Sequence, residues 1–409
     1  MTETPVRPAK AEFPMTRSGD CPFDPAVGYT ELVAQDATPR VSCPVGVDAW
    51  VVTGYEDMRT VLGDSRLSSR GATSTHVMQP QELDVPPGPG NLFRHDGEEH
   101  SRLRRLLTSE FTVKRIQALR PYIQQLIDQH IDAMLAKTEP VDLVADFALP
   151  IPSLVICELL GVAYDDREHF QRQSAALVTT DTTDEEKAAA AEHLQGFIAQ
   201  LVLAKTAEPT DDLLSRLIQR GNESGQPLTI PELVTLGVSL LIAGHETTAN
   251  MIALSTLALL RSPDQLDALR ADPSLAASAV EEMLRYLSVV QFGVFRYVTE
   301  DIPLGEETLR AGDWLVAALS VGNRDTTVFP DADKIDLKRK ASAHLAFGYG
   351  AHQCLGQQLA RVELQQVFST LFQRIPTLRL AVPFEDLRFK DNALVYGLRA
   401  LPVTWDQQN

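Results

Sequence analysis

The chain has 409 residues, 44% of them hydrophobic and 22% charged, with a formal net charge of −18. That length and apolar content suffice for a large core, while so acidic a balance argues against nucleic acid as a general partner. The first 27 residues are polar and contain proline, without the apolar centre of a secretion signal, and no later apolar run reaches the roughly 20 residues of a membrane span.

The expectation is therefore a cytoplasmic protein with no membrane anchor, folded as one large domain over residues 1–409, with 1–27 irregular. Four cysteines, Cys21, Cys43, Cys157 and Cys354, form no CxxC pair. Their spacing does not suit a structural zinc. Cys157 lies in an apolar run and reads as a small buried hydrophobe. A Cys21–Cys43 disulfide is conceivable, but a cytoplasmic setting favours free thiols.

In chain order, Val41-Ser42-Cys43 and Trp50-Val51-Val52-Thr53 read as short strands, and a helix begins at Tyr55. Residues 66–93 are rich in Gly, Pro, Ser and Thr and read as a long irregular segment, of a kind often functional in a compact domain. From about residue 97 to 260 the pattern is mostly helical, with helices over His100 to Leu107, Val113 to Leu135 and Asp184 to Ala204, and another opened by Asp211 and Asp212.

The longest helix runs from Thr229 to about Leu260. Thr229-Ile230-Pro231-Glu232 is a capping box with proline in the first turn, and the nearly apolar middle predicts burial on most sides. Helices follow over Asp264–Arg270, Ser274–Leu287 and Gln358–Phe372. Strands are expected at Gly293–Val298, Glu307–Arg310, Asp313–Ala318, Leu394–Tyr396 and Leu401–Trp405. The fold class is mainly α with a minor β region.

Two stretches carry chemistry. The first is Phe347-Gly348-Tyr349-Gly350-Ala351-His352-Gln353-Cys354-Leu355-Gly356, immediately before a helix. Glycines let main chain approach a large planar group, and the start of a helix stabilises a thiolate through its N–H groups and dipole. Such a thiolate can ligate haem iron, where it favours O–O cleavage. Taken alone, Cys354 reads more readily as a buried cysteine in a glycine-rich turn. The second stretch, Leu241-Ile242-Ala243-Gly244-His245-Glu246-Thr247-Thr248-Ala249, places a glycine, a charge and two threonines inside the apolar helix. It suggests a locally opened helix beside a wet cavity.

The cysteine loop resembles the signature of the cytochrome P450 superfamily, Phe-Gly-x-Gly-x-His-x-Cys-x-Gly, and matches it at every named position. The likeness, to soluble bacterial, actinobacterial-like members, covers almost the whole chain from Gly28 to Trp405. It implies a cytochrome P450 fold and haem b with Cys354 as the axial thiolate and metal ligand. Phe347, Gly348 and Gly356 would lie beside that cofactor. His100, Arg104, Arg296 and His352 would hold its propionates. Ala243 to Thr247 resembles the oxygen-activation motif, making Glu246 and Thr247 catalytic toward the co-substrate O2; His245 is not assigned to iron.

Glu282 and Arg285 match the Glu-x-x-Arg scaffold pair, with Arg324 near enough to join their network. Some members carry a further arginine before Phe-Asp. Here the stretch reads Asp333-Lys334-Ile335-Asp336, which leaves open whether Lys334 replaces it.

The expected substrate cavity is walled by Leu92, Leu240, Ala243, Val289, Val290, Phe292, Gly293, Val294, Leu394 and Val395. Its apolar character suits a hydrophobic small molecule such as a macrolide, polyketide or terpenoid. No flavin or iron–sulfur domain is expected within these residues, and the resemblance implies electrons from a separate ferredoxin served by an NAD(P)H-dependent ferredoxin reductase. The expected activity is haem-thiolate monooxygenation. A peroxygenase or epoxidase on the same site, and a non-catalytic haem sensor, are the alternatives; the Glu246–Thr247 pair favours oxygen-dependent catalysis.

Overall fold

The computed structural model describes residues 11–406 except 14, 16, 18–20, 36–38, 45, 71–86, 139, 164–165, 168–171, 174–182, 306 and 392. The middle of the glycine- and proline-rich 66–93 stretch thus lies outside the described residues. Of its ends, Leu67–Ser68 is a short strand pairing antiparallel with Tyr297 and Val298.

The capping box works as its sequence requires. Thr229 Oγ1 accepts from the Glu232 N–H, and the Glu232 carboxylate accepts from the Thr229 N–H at 2.6 Å. The helix it starts, Ile230–Leu260, has 31 residues, about 46 Å at the usual rise. Its second half, from Thr248 to Leu259, is buried throughout. Helices Pro150–Leu160 and Asp184–Ala207 pack across it. At these crossings a Cβ on Gly244 would lie 2.7 Å from Ile156 Cδ1, and one on Gly237 would lie 2.8 Å from Ile198 Cγ2.

This overturns the expectation of an opened helix. The segment is α-helical without interruption, and Gly244 serves close helix–helix approach. Both roles look alike in sequence, because a glycine lowers helix propensity whether or not a neighbour needs its space.

Other boundaries differ in instructive ways. The 113–135 stretch is two helices, Val113–Ala118 and Arg120–Leu135. The second has proline in its first turn, where proline leaves the apolar spacing intact. Ser274–Leu287 splits into a 3₁₀ turn at Pro273–Leu275 and a helix at Ala276–Leu287. Leu394–Tyr396 is no strand; Val395 makes a single bridge to Val290.

The larger sheet orders its strands Ala11–Glu12, Arg40–Ser42, Asp48–Val52, Trp314–Ala317, Val294–Val298 and Leu67–Ser68. Around it lies one apolar core, containing Val51, Phe292, Phe295 and Leu315. A second, larger core gathers the helices and includes Phe147, Ile252, Leu364 and Phe368. The loop carrying Cys354 leads into the helix Gln357–Arg374, which packs on Arg120–Leu135 and Ala276–Leu287. Among the described residues no helix is long and apolar enough to cross a membrane.

Candidate functional site

Two residues of the cysteine loop are shaped by positive φ, Gly348 at +68° and Gly350 at +76°. At Gly350 a Cβ would also lie 2.3 Å from the Leu62 carbonyl oxygen, so the loop presses on the end of helix Tyr55–Gly63. Gly356 differs. Its φ is an ordinary −81°, and a Cβ there would meet nothing within 4 Å. The backbone does not demand glycine at this position; its absent side chain leaves open space beside the cysteine.

The Cys354 N–H donates to the Phe347 carbonyl at 2.9 Å, which closes the loop and leaves Cys354 exposed rather than packed into a core. Burial by the surrounding chain pushes the thiol's pKa up. The N–H groups of Gly356 and Gln357 and the charges of Arg104 and Arg361 pull against that rise. The other three cysteines are free thiols as well.

The four expected anchors come together from three elements. His100 and Arg104 share a face of helix Gly97–Thr108, His352 lies in the cysteine loop and Arg296 is on strand Val294–Val298. The His100 and His352 rings are 4.1 Å apart. Arg104 donates to the Gln353 carbonyl at 2.6 Å. Arg296 is buried, and it donates to its neighbour's carbonyl, that of Phe295, at 2.7 Å. Burial lowers its pKa to about 10. Burial, with His352 and Arg104 nearby, lowers that of His100 to about 4.

Among the described residues Asp96 is the one acid hydrogen-bonded to this group, through His352 Nε2 at 3.1 Å. Burial opposes its charge, but hydrogen bonds from His352, Ser68 and the Ser69 amide outweigh that and hold its pKa at about 2. Among the described residues His100 Nε2 is buried without a partner. A buried histidine nitrogen left unsatisfied and two half- to fully buried arginines that make no ion pair among the described residues call for an anion. With the exposed Cys354 beside Arg104, these residues fit haem and its propionates.

On the long helix, Thr247 Oγ1 donates to the Ala243 carbonyl at 2.7 Å. Glu246 Oε1 is 3.6 Å from Lys390 Nζ, and Lys390 in turn donates to Asn250 Oδ1 at 3.3 Å. Burial raises the Glu246 pKa, with Lys390 acting against it. Lys390 had no sequence signal, since it arrives from a loop 144 positions beyond Glu246 (390 − 246). His245 is buried on the helix face away from the cavity wall.

A cavity of about 460 Å³ is lined by Ala243, Val290, Phe292, Gly293, Leu394 and Val395, together with Asn91, Phe93, Ser239 and Ile242. Four expected wall residues lie elsewhere. Leu92 and Val289 are buried in the larger core, Leu240 packs against that core, and Val294 packs against the other. Helical spacing explains the Leu240 difference: Ser239, Ile242 and Ala243 are three and four apart and share a face, while Leu240 falls on the next one. In the turn at Asn91–Arg94, Leu92 tucks inward and Phe93 is left outward.

The scaffold pair is fully buried. Arg285 donates to both Glu282 oxygens at 2.8 Å and to the carbonyls of Asn323 and Ala332. Its third partner is Arg339, whose Nε reaches Glu282 Oε1 at 3.1 Å. Lys334 does not replace it: its ammonium is exposed beside Asp331, and only its carbonyl joins the network. Arg324 also stays outside. It stacks 3.8 Å from the Tyr286 ring centre and binds the Phe23 and Tyr286 carbonyls and Asp333.

The cytochrome P450 family model matches residues 44–180 and 181–375. The chain belongs to the cytochrome P450 family. It is 49% identical over 399 residues to cytochrome P450 CYP105Q4 of Mycobacterium marinum, covering 96% of each chain. It is 45% identical to pentalenic acid synthase of Streptomyces avermitilis, covering 97% of this chain and 98% of that one. A crystal structure of CYP105P1 in complex with filipin I superposes with a TM-score of 0.90 at 43% identity, over 98% of this chain and all of the other. As a cytochrome P450 of the actinobacterial CYP105 type, the protein is a haem-dependent monooxygenase that uses cysteine-thiolate ligation and O2.

Proposed function

We propose that this cytochrome P450 hydroxylates a hydrophobic secondary metabolite of macrolide, polyketide or terpenoid type, in the cytoplasm, with electrons from a separate ferredoxin and its NAD(P)H-dependent reductase. One observation carries the reading: His100, Arg104, Arg296 and His352 converge beside the exposed Cys354, where Arg104 donates to the Gln353 carbonyl, and among the described residues Asp96 is the one acid hydrogen-bonded to them. Cys354 would supply the thiolate to haem iron, and those four side chains would hold its propionates. Phe347, Gly348 and Gly356 shape the ligand loop. Relatives named for pentalenic acid synthesis and crystallised with filipin I support an apolar natural product as the substrate class.

Bound haem supplies the activation of O2 and the insertion of one oxygen atom into a carbon–hydrogen bond. The chain's own residues bind, orient and deliver protons. Val290, Phe292, Leu394, Val395, Ile242 and Ala243 give the substrate a mostly apolar wall and exclude water. The Glu246 carboxyl, whose pKa burial raises against the pull of Lys390, is suited to take up and release a proton. Thr247 Oγ1, now donating to Ala243, can turn that donor toward the cavity.

The test is a ferrous–carbon monoxide spectrum followed by turnover with ferredoxin, its reductase and a panel of apolar natural products. The expected result is the long-wavelength Soret band of thiolate-ligated haem and a hydroxylated product. A protein that binds haem but shows neither would be a sensor, and the proposal would fall.

Thr247→Ala is expected to uncouple electron use from product. The fraction of NAD(P)H appearing in product should fall about tenfold, corresponding to ~1.4 kcal/mol of differential barrier, with the carbon monoxide spectrum unchanged. Unaltered coupling with a well-turned-over substrate would reject the role.

A further inference from the structure

Glu281 stands one residue before the scaffold acid Glu282, on the same helix, and points to a different partner. Arg361, in the helix that follows the cysteine, clamps it with two donors: Nε reaches Oε1 at 2.7 Å and an Nη reaches Oε2 at 3.0 Å. This bidentate geometry fixes the guanidinium plane as well as its charge. His344 Nε2 lies 3.3 Å from the same carboxylate, while its Nδ1 accepts the Ala346 N–H. Glu281 and Arg361 are only 15% and 17% exposed, so water screens them poorly.

The held arginine touches both ends of the ligand loop. Its guanidinium carbon sits 4.6 Å from the centre of the Phe347 ring, and another Nη donates to Gln357 Oε1 at 2.9 Å. Phe347 supplies the carbonyl that accepts the Cys354 N–H. Gln357 is the first residue of the following helix, and its own N–H faces the sulfur. Arg361 is thus placed to act on the sulfur through two mechanical contacts and one electrostatic one.

We propose that Glu281 is a positioning residue for the thiolate: it pins Arg361 between Phe347 and Gln357 and compensates its charge, so that the electron donation of Cys354 is set by a fixed, largely neutralised guanidinium. The proposal rests on Cys354 being the haem ligand. Its consequence is electrochemical. Glu281→Gln keeps the shape but removes the compensating charge, leaving an uncompensated cation near the sulfur. That cation favours the reduced, more negative state of the haem–thiolate unit.

The experiment is spectroelectrochemical titration of the haem-loaded wild type, Glu281→Gln, and the double variant Glu281→Gln/Arg361→Met, each with its ferrous–carbon monoxide spectrum. Glu281→Gln should raise the reduction potential by about a tenfold change in equilibrium, ~59 mV for one electron. The double variant, which removes both charges, should return most of the way to wild type. A purely structural role predicts the opposite order, with the double variant at least as perturbed as the single.

An unchanged potential in Glu281→Gln overturns the proposal, and so does a double variant displaced further than the single. If Glu281→Gln cannot retain haem, recovery of haem binding in the double variant supports compensation, and continued loss overturns it. A wild type without the long-wavelength band sinks the ligand assignment and this proposal with it. A normal band with no shift in potential sinks only the latter.

Discussion

Replacing Cys354 with alanine is expected to leave the chain folded and to lower monooxygenase turnover by at least about a thousandfold, ~4 kcal/mol in the barrier. The two halves of this expectation have separate physical grounds. The loop is held by main-chain features that alanine keeps: the Cys354 N–H to the Phe347 carbonyl, the positive φ of Gly348 and Gly350, and the seat of Gly350 against Leu62. Cys354 is exposed and belongs to neither apolar core, so removal of its thiol opens no core void.

What alanine takes away is the donor that distinguishes this haem from a histidine-ligated one. The check is paired: the thermal unfolding midpoint of the haem-free chain should be nearly unchanged, while the long-wavelength carbon monoxide band disappears. A band that survives in Cys354→Ala, abolished only by global unfolding, would falsify the ligand assignment.

Glu282→Gln is expected to have the largest effect on stability. The Glu282 side chain is fully buried and accepts from Arg285 twice, from Arg339 and from the Asp336 N–H. Removing the carboxylate charge leaves Arg285, itself fully buried, without its counter-ion. Breaking a buried pair from one side costs about 3–5 kcal/mol, a large share of the ~5–15 kcal/mol that holds a typical domain. The network also ties helix Ala276–Leu287 to the loop ahead of Cys354, through the Asn323, Ala332 and Lys334 carbonyls. Haem retention should fall together with the urea midpoint.

Two milder variants test the network's membership. Arg339→Ala should cost about 1–3 kcal/mol through a lost charged hydrogen bond. Lys334→Ala should stay within about 0.5 kcal/mol, as an exposed pair does. If Lys334→Ala proved the more damaging, the assignment of Arg339 as third partner would be wrong.

Legibility in the sequence followed the range of the interactions. The Thr229 cap was readable because donor and acceptor lie three residues apart. The cysteine loop was readable for a related reason: its turns need Gly348 and Gly350 at fixed offsets from Cys354. The wall of the cavity was half readable. Ala243, Val290 and Phe292 fell on it, but Leu92 and Leu240 were displaced by a single position onto the core side. A one-residue step on a helix turns a side chain by about 100°, and apolar character does not say which neighbour it meets.

The sequence by itself determined the family, the ligand loop and the capped central helix, because each is encoded in residues close along the chain. Only the tertiary structure decided that Arg339, not Lys334, completes the scaffold, that Lys390 stands by Glu246, and that Gly244 admits Ile156 where an opened helix was expected. It also decided that Glu281 and Arg361 brace the cysteine loop from behind. These pairings join residues tens to more than a hundred positions apart. Arginines and lysines of similar sequence context compete for each acid, and the winner is fixed by which backbone segment the packed core brings within about 3 Å of it.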